Sequence, residues 1–111
     1  MHVQYLWIFF LSQQVTFARE NNIDFAIRGG GHHPSGFASS EGGIVLDMRK
    51  LCNVRVDPER KLVYAQGGAT WKDINQETHK HGLACVSPCV DSVGVGGFMS
   101  GGGFGYLTGK Q

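Results

Sequence analysis

Apolar residues recur at helical spacing in two segments of the chain. The first segment predicts a helix from Ser12, which can cap it, to Asn21, where two successive asparagines end it. The second predicts a helix over Trp71–His81, because Thr70-Trp71-Lys72-Asp73 approximates a capping box and Gly82 suits the backbone just past a helix. The residues that share the apolar face of this second helix are Trp71, Ile74 and Thr78.

Shorter apolar patterns between these helices predict strands. Ile23–Ile27 forms one, and Ile44–Leu46 is a continuous apolar run that favours a buried strand. Asn53–Val56 and Lys61–Ala65 alternate apolar and polar residues. Since Asp57-Pro58-Glu59-Arg60 between them has the chemistry of a turn, these two segments predict a hairpin.

After the second helix, the pattern predicts a short strand over Leu83–Val86 and then a glycine-rich loop. The element order is therefore helix, strand, loop, strand, hairpin, helix, strand and loop. This order predicts an α+β sheet fold in one domain at most.

The apolar run Tyr5–Leu11 lies before the first predicted helix. It is far too short to span a bilayer, and it lacks both the basic stretch and the small-residue cleavage site of a signal peptide. We interpret it as the start of a strand or helix, or as the product of a misplaced start codon. The sequence therefore predicts no association with a membrane. It does not identify the cellular compartment, although the cytoplasm is slightly favoured.

Glycine is the outlier in composition, with 17 residues among 111, about twice the average usage of roughly 7%. Six glycines lie between Gly29 and Gly43, and seven lie between Gly94 and Gly105. Predicted strands and helices flank both clusters, which excludes a flexible linker. Charge is nearly balanced, with ten basic and nine acidic residues, so no nucleic-acid partner is expected.

The first glycine cluster, Arg28-Gly29-Gly30-Gly31-His32-His33-Pro34-Ser35-Gly36, follows directly on a predicted strand. Three successive glycines let the backbone turn with positive φ and present several N–H groups to one anion, typically a phosphate. Arg28 and Ser35 can add donors. The alternative is a glycine-rich turn with a solvent-exposed histidine pair.

The second cluster, from Val93 to Gly105, interleaves glycines with large apolar residues such as Phe98 and Met99. A loop packed under an extended, partly apolar ligand needs both kinds of residue. Together the two clusters suit a cofactor that has a diphosphate and a flat ring. The alternative for the second cluster is a tightly packed glycine turn.

Other site patterns are missing from the sequence. The P-loop and dinucleotide-binding fingerprints both fail on residue identity, since Met99 stands where the latter needs its third glycine. His32 and His33 point apart and have no partner ligands nearby, so no metal site is predicted. No catalytic residue is marked either. The odd cysteine count argues against a disulfide framework.

Five sequence blocks resemble the FAD-binding domain of the vanillyl-alcohol oxidase type, and in particular the berberine-bridge-enzyme-like oxidases. The blocks occur in the family's order and spacing, and the resemblance runs from about residue 12 to 110. It implies a mixed sheet with flanking helices and two glycine-rich cofactor loops, as in the N-terminal part of a PCMH-type FAD-binding domain. The blocks are Ala26–His32, Gly43–Met48, Val56–Pro58, Ala65–Trp71 and Val93–Gly105.

The resemblance also implies a cofactor and the residues that hold it. In this family the histidine that closes the Arg-Gly-Gly-Gly-His stretch is bonded to the 8α-methyl carbon of the flavin, and that residue here is His32, with His33 the weaker candidate. The residues expected to bind FAD are Arg28, Gly29, Gly30, Gly31, His32, His33, Ser35, Gly36, Val93, Gly94, Gly96, Gly97, Ser100, Gly101, Gly102 and Gly103.

A second covalent link, from a cysteine to flavin C6, occurs in some members of the family. The matching position here is Val90, and Cys89 stands one residue early. A shift of one residue in an extended segment reverses the direction of the side chain. We therefore expect a flavin tethered once, by His32.

Family members oxidise alcohols, sugars, phenols or alkaloids by hydride transfer to the flavin and then to O₂. Their catalytic base and substrate pocket lie in later parts of much longer chains. We expect residues 1–111 to be a partial FAD-binding domain that lacks the substrate domain, is inactive alone and meets a small-molecule substrate only in a full-length form. The alternatives are a non-catalytic nucleotide- or phosphate-binding module and a degenerate product without a stable fold.

Overall fold

The computed structural model describes the backbone of residues 2–110 and the side chains of residues 9–109. The chain divides into two compact units. One contains the chain up to Ile27 together with His33–Leu46, and the other contains Arg28–His32 together with the chain from Asp47 onward. In order, the elements are α1 (His2–Glu20), β1 (Phe25–Arg28), β2 (Ile44–Asp47), β3 (Val54–Asp57), β4 (Leu62–Ala65), α2 (Trp71–His79), α3 (Val95–Ser100) and a 3₁₀ turn (Thr108–Lys110).

Helix α1 begins at His2, so the prediction that Ser12 caps it was wrong. The apolar run before Ser12 continues the helical pattern, and the Ser12 hydroxyl donates back to the Phe9 carbonyl inside the helix, 2.8 Å away. The predicted end is confirmed. Asn22 has a φ of 51°, and the Ile23 amide donates to the Ala18 carbonyl just beyond the last turn.

No helix among the described residues is both long enough and apolar enough to cross a membrane.

Strands β1 and β2 form a two-stranded sheet. The Ile44 amide donates to the Asp24 carbonyl and the Met48 amide to the Arg28 carbonyl, with equal chain separation at both ends, so the pair is parallel. Leu46 is buried, but Val45 is 40% exposed. The prediction of a wholly buried strand was therefore wrong, because the side chains of a strand alternate between its two faces.

Strands β3 and β4 form the predicted hairpin, paired antiparallel from Val54 opposite Ala65 to Asp57 opposite Leu62. Asp57 stabilises the turn, because its carboxylate accepts a 3.0 Å hydrogen bond from the Arg60 amide.

Helix α2 confirms both predicted end signals. At its start, one carboxylate oxygen of Asp73 accepts hydrogen bonds from both the amide and the hydroxyl of Thr70, each 2.8 Å long. At its end, Gly82 has a φ of 66°, and the amides of Gly82 and Leu83 donate to the carbonyls of His79 and Thr78. This pair of bonds is a Schellman motif.

The core of this unit lies under α2, which packs against β3 and β4. The predicted apolar face is confirmed, because Trp71, Ile74 and Thr78 are all buried, and Ala69 is buried beside them. The Thr78 hydroxyl donates to the Ile74 carbonyl at 3.0 Å, which satisfies the buried polar group.

Two predictions for the chain after α2 were wrong. Leu83–Val86 forms no strand, since the Leu83 amide is used to close the helix and the described residues offer this segment no partner strand. The second glycine cluster is not a continuous loop, because Val95–Ser100 forms helix α3 with Gly94 at its N-cap. Tertiary contacts stabilise the start of α3. The Val95 amide donates to the Ala69 carbonyl, and Gly94 forms an isolated antiparallel β-bridge with Thr70.

Candidate cofactor site

Glycine backbones from both predicted clusters meet in the unit that contains α2 and α3. A Cβ built on Gly30 would lie 2.3 Å from the backbone nitrogen of Gly94, and a Cβ built on Gly94 would lie 2.3 Å from that of Gly30. Only glycine permits two backbones to approach this closely. The two clusters, distant in sequence, are therefore neighbours in space.

A third glycine segment joins this contact. The Gly67 carbonyl would lie 3.5 Å from a Cβ on Gly29 and 2.9 Å from one on Gly96. We call these five residues, Gly29, Gly30, Gly67, Gly94 and Gly96, the glycine junction. Gly67 was not among the residues predicted from the sequence, although the Gly67-Gly68 pair directly after a strand was an available signal.

The junction changes the interpretation of the first cluster. Only Gly31 of the three successive glycines has a positive φ, at 70°. Gly29 and Gly30 are needed for close backbone approach instead of for a positive φ. The Arg28 guanidinium folds over Gly31, where its Nε would lie 3.2 Å from an added Cβ. One cation therefore stands beside the exposed backbone of Gly31.

His32 lies at the end of this segment with its side chain exposed. Its Nε2 is 2.9 Å from the hydroxyl of Ser92, sixty residues further along the chain. Ser92 comes two residues before Gly94, so this hydrogen bond spans the same two segments that meet at the glycine junction. Ser92 was missed in the sequence, where no motif marks it.

The other residues predicted in the first cluster, from His33 onward, lie in the unit that contains α1 and make local contacts there. His33 Nδ1 accepts a 3.2 Å hydrogen bond from the Ser35 amide, and the His33 ring lies 4.7 Å from that of Phe37. Gly36 has a φ of 75°, and its carbonyl accepts from the Ser39 amide and hydroxyl. Their part in binding FAD stays a prediction.

Helix α3 carries the residues predicted in the second cluster. Gly97 is exposed in its first turn, and a Cβ there would meet nothing within 4 Å. The Ser100 hydroxyl already donates to the Gly96 carbonyl, 2.8 Å away, so it is left as an acceptor. The Phe98 ring packs edge-on against Trp71, with centroids 5.1 Å apart, and this contact fixes α3 on α2.

The residues after α3 continue the exposed glycine surface. Gly101, Gly102 and Gly103 are all exposed, and Gly102 has a φ of 67° with open space around it. Gly103 lies so close to Phe98 that an added Cβ would be 2.3 Å from the ring. Val93 is held by its backbone, because its carbonyl accepts from the Trp71 amide at 3.0 Å.

The three cysteines are free. Cys89 is exposed beside Tyr106, and the hydrogen bond between them raises the pKa of the Tyr106 phenol above its usual value. Burial raises the pKa of the Cys85 thiol. Among the described residues no group of three histidine, cysteine or acidic side chains could hold a metal ion.

One ion pair lies next to the first cluster, at the end of β2. The Arg49 guanidinium donates to both carboxylate oxygens of Asp47, at 2.9 and 2.5 Å. This pairing with Arg49, aided weakly by the charge of Arg28, holds the pKa of the Asp47 carboxyl well below its usual range.

Sequence comparison assigns the chain to a family. Residues 11–111 match the FAD binding domain model, which covers nearly the whole chain. The chain therefore belongs to the FAD-binding domain family, and it has the fold of the N-terminal part of a PCMH-type FAD-binding domain.

Individual relatives agree with this family. The chain is 36% identical over 100 residues to (R)-6-hydroxynicotine oxidase of Paenarthrobacter nicotinovorans, covering 90% of this chain and 22% of the relative. It is 36% identical over 108 residues to berberine bridge enzyme-like D-2 of Nicotiana tabacum, covering 90% and 19%. The chain thus spans about a fifth of the length of the curated relatives it matches.

Solved structures show the same relationship in three dimensions. The crystal structure of 6-hydroxy-D-nicotine oxidase from Arthrobacter nicotinovorans aligns with a TM-score of 0.84 and 37% identity, over 87% of this chain and 21% of that one. Aclacinomycin oxidoreductase aligns with a TM-score of 0.76 and 28% identity, over 86% and 20%. These findings confirm the α+β class and the FAD-binding domain of FAD-linked oxidoreductases predicted from the sequence.

Proposed function

We propose that FAD binds at the glycine junction and that His32 tethers it covalently. The observation that carries this proposal is the contact between Gly30 and Gly94, where an added Cβ would lie 2.3 Å from the opposing backbone. A domain that binds one FAD through two glycine clusters needs those clusters to be adjacent. Their adjacency supports a single cofactor site that includes both.

The residues around the junction fit a diphosphate. Arg28 supplies a cation beside the exposed backbone of Gly31. Gly97 lies in the first turn of α3, where backbone N–H groups have no partner within the helix, and open space surrounds it. Exposed N–H groups and a guanidinium together bind phosphate oxygens. Gly101, Gly102 and Gly103 extend this surface towards the rest of the cofactor.

His32 is the proposed attachment residue, because its imidazole is exposed and lies at the edge of the junction. A neutral imidazole nitrogen is a competent nucleophile. His32 would supply the electron pair for a bond to the flavin 8α carbon. The imidazole and that carbon would each give up one proton, and bound FAD together with O₂ would supply the two-electron oxidation that this bond requires.

In the longer polypeptide the bound flavin would accept a hydride from an alcohol, sugar, phenol or alkaloid and pass the electrons to O₂. We propose that the substrate domain lies in polypeptide outside residues 1–111, since the chain spans only about a fifth of its relatives. The role of this chain is then to bind and orient the cofactor.

Acid precipitation tests the tether. The chain is expressed with FAD and precipitated, and the pellet is assayed for flavin absorbance and for the added mass of FAD on a His32 peptide. His32→Ala should release all its flavin into the supernatant, whereas the neighbouring His33→Ala should retain it like the wild type. Complete release from the wild type, or retention by His32→Ala, would contradict the tether.

A titration separates an FAD domain from a general nucleotide module. FAD should bind the His32→Ala chain more tightly than ADP does, because the flavin half adds its own contacts. Isothermal titration with FAD, FMN and ADP measures this difference. Equal affinity for ADP and FAD would favour the non-catalytic module instead.

A further inference from the structure

The backbone of the site places His32 and Ser92 close enough for their side chains to form a hydrogen bond. Gly30 and Gly94 are in contact, and His32 and Ser92 each lie two residues away from that contact on their own segments. The junction therefore fixes both backbones before either side chain is placed.

Each of these two side chains makes its only side-chain hydrogen bond, among the residues that the structure describes, to the other. A neutral imidazole has one N–H donor and one bare nitrogen, and the bond made at one ring nitrogen sets the state of the other. A Ser92 hydroxyl that accepts from Nε2–H leaves Nδ1 unprotonated, whereas one that donates to Nε2 leaves Nδ1 protonated; only the first arrangement presents a nucleophilic nitrogen on the free side of the ring. Both residues are exposed, so a ligand can reach the free side of the ring.

We propose that Ser92 is a positioning residue for flavin attachment, and that it holds His32 as the Nε2–H tautomer so that Nδ1 is the reacting nitrogen. This inference rests on the proposed tether at His32. Nδ1 supplies the electron pair of the new bond to the 8α carbon. One proton leaves from that carbon and one from Nε2 beside Ser92, and the two electrons pass through the flavin to O₂.

The tautomer can be measured without any cofactor. Two-bond ¹H–¹⁵N spectra of the full chain are recorded at a pH above about 8, where histidine is neutral, with the His32 signals assigned by their loss in His32→Ala. Wild type and Ser92→Thr should show mainly the Nε2–H form. In Ser92→Ala the ratio of the two tautomers should shift by about five- to tenfold, as expected for one lost hydrogen bond. An unchanged ratio would overturn the inference.

The rate of attachment gives a second readout. The chain is mixed with saturating FAD, and acid-stable flavin is followed over time. Ser92→Ala should slow attachment about tenfold through loss of orientation, while Ser92→Thr should stay close to wild type. The matched control is Ser87→Ala in the same segment, whose hydroxyl has no hydrogen bond among the described residues and whose loss should change nothing.

The outcomes separate the two proposals. If the wild type attaches flavin through His32 and Ser92→Ala does so equally fast, the positioning role is wrong and the tether stands. If the wild type attaches none, the tether is wrong, and the tautomer ratio alone decides whether Ser92 orients His32.

Discussion

Gly30 and Gly97 lie in the two glycine clusters, but their surroundings differ. A Cβ on Gly30 would strike the backbone of Gly94 at 2.3 Å, whereas one on Gly97 would meet nothing within 4 Å. We expect Gly30→Ala to lower the free energy of unfolding by about 1–3 kcal/mol or more, because backbone must move to admit the methyl group. Urea unfolding followed by circular dichroism measures this loss.

Gly97→Ala is the matched variant for this measurement. Inside a helix, alanine replaces glycine with a gain of about 0.5–1 kcal/mol, so the stability should be unchanged or higher. If FAD lies over this turn as proposed, the same methyl group should weaken FAD binding without harming the fold. If the Gly97→Ala chain bound FAD as tightly as the wild type, Gly97 would not be part of the FAD site.

Asp47 and Arg49 predict a pH dependence of stability. The pKa of Asp47 is lowered in the folded chain by Arg49, so its contribution to stability is present above the ordinary aspartate pKa and is lost as the pH falls. Arg49→Gln should therefore be less stable than the wild type near pH 6, and the difference should narrow below about pH 4.

The Asp47–Arg49 effect should be small, because both side chains are exposed and salt screens them. Unfolding free energies measured from pH 2 to 6 at low and high salt test it. If the difference in unfolding free energy between the wild type and Arg49→Gln grew as the pH fell, the predicted direction of the pH dependence would be wrong.

At the scale of elements, the end of α2 depends on Gly82. Its φ of 66° is costly for alanine, and an added Cβ would meet nothing within 4 Å, so conformation alone sets the penalty. Gly82→Ala should lower the free energy of unfolding by about 1 kcal/mol. Gly109→Ala is the control, since Gly109 also has open space around it but no positive φ. Equal free energies of unfolding for Gly82→Ala and Gly109→Ala would argue against a stabilising role for the Schellman motif at Gly82.

The elements predicted correctly from sequence are those with local signals. The hairpin turn at Asp57 and the capping box at Thr70 both act within a few residues, so the sequence alone is enough to find them. Helix α3 could not be predicted, because glycine at Gly96 and Gly97 disfavours a helix and the contacts that stabilise it come from Ala69 and Trp71.

The adjacency of the two glycine clusters was predictable to a similar degree. The sequence predicted that both clusters lie near one ligand, and the structure brings Gly30 and Gly94 together. It could not reveal Ser92, because proximity across the chain leaves no local pattern. It also could not show that backbone packing, rather than ligand binding, requires glycine at Gly30.

At the scale of the whole molecule, few apolar side chains are buried. Among the described residues the buried hydrophobic side chains are Ala18, Ala26, Leu46, Ala69, Trp71 and Ile74. Three of these are alanines, so burial contributes little to stability. The stability of the folded chain should therefore depend on bound cofactor to a larger extent than that of a domain with a larger apolar core.

FAD is expected to raise the midpoint of thermal unfolding. A ligand that binds only the folded state adds about 2.7 kcal/mol at one hundred times its dissociation constant. Scanning the His32→Ala chain with increasing FAD isolates the non-covalent effect, and ADP should give a smaller shift at equal concentration. An unfolding midpoint that did not move with FAD would show that this chain does not bind it.

The contact between Gly30 and Gly94 also constrains how the sequence can vary. In most packed pairs a larger side chain on one partner is tolerated when the other becomes smaller. Here both partners are already glycine, and a side chain added to either one would clash with the main chain of the other. In a library randomised at both positions, selection for folded protein should return glycine at each one independently, with no compensating pairs.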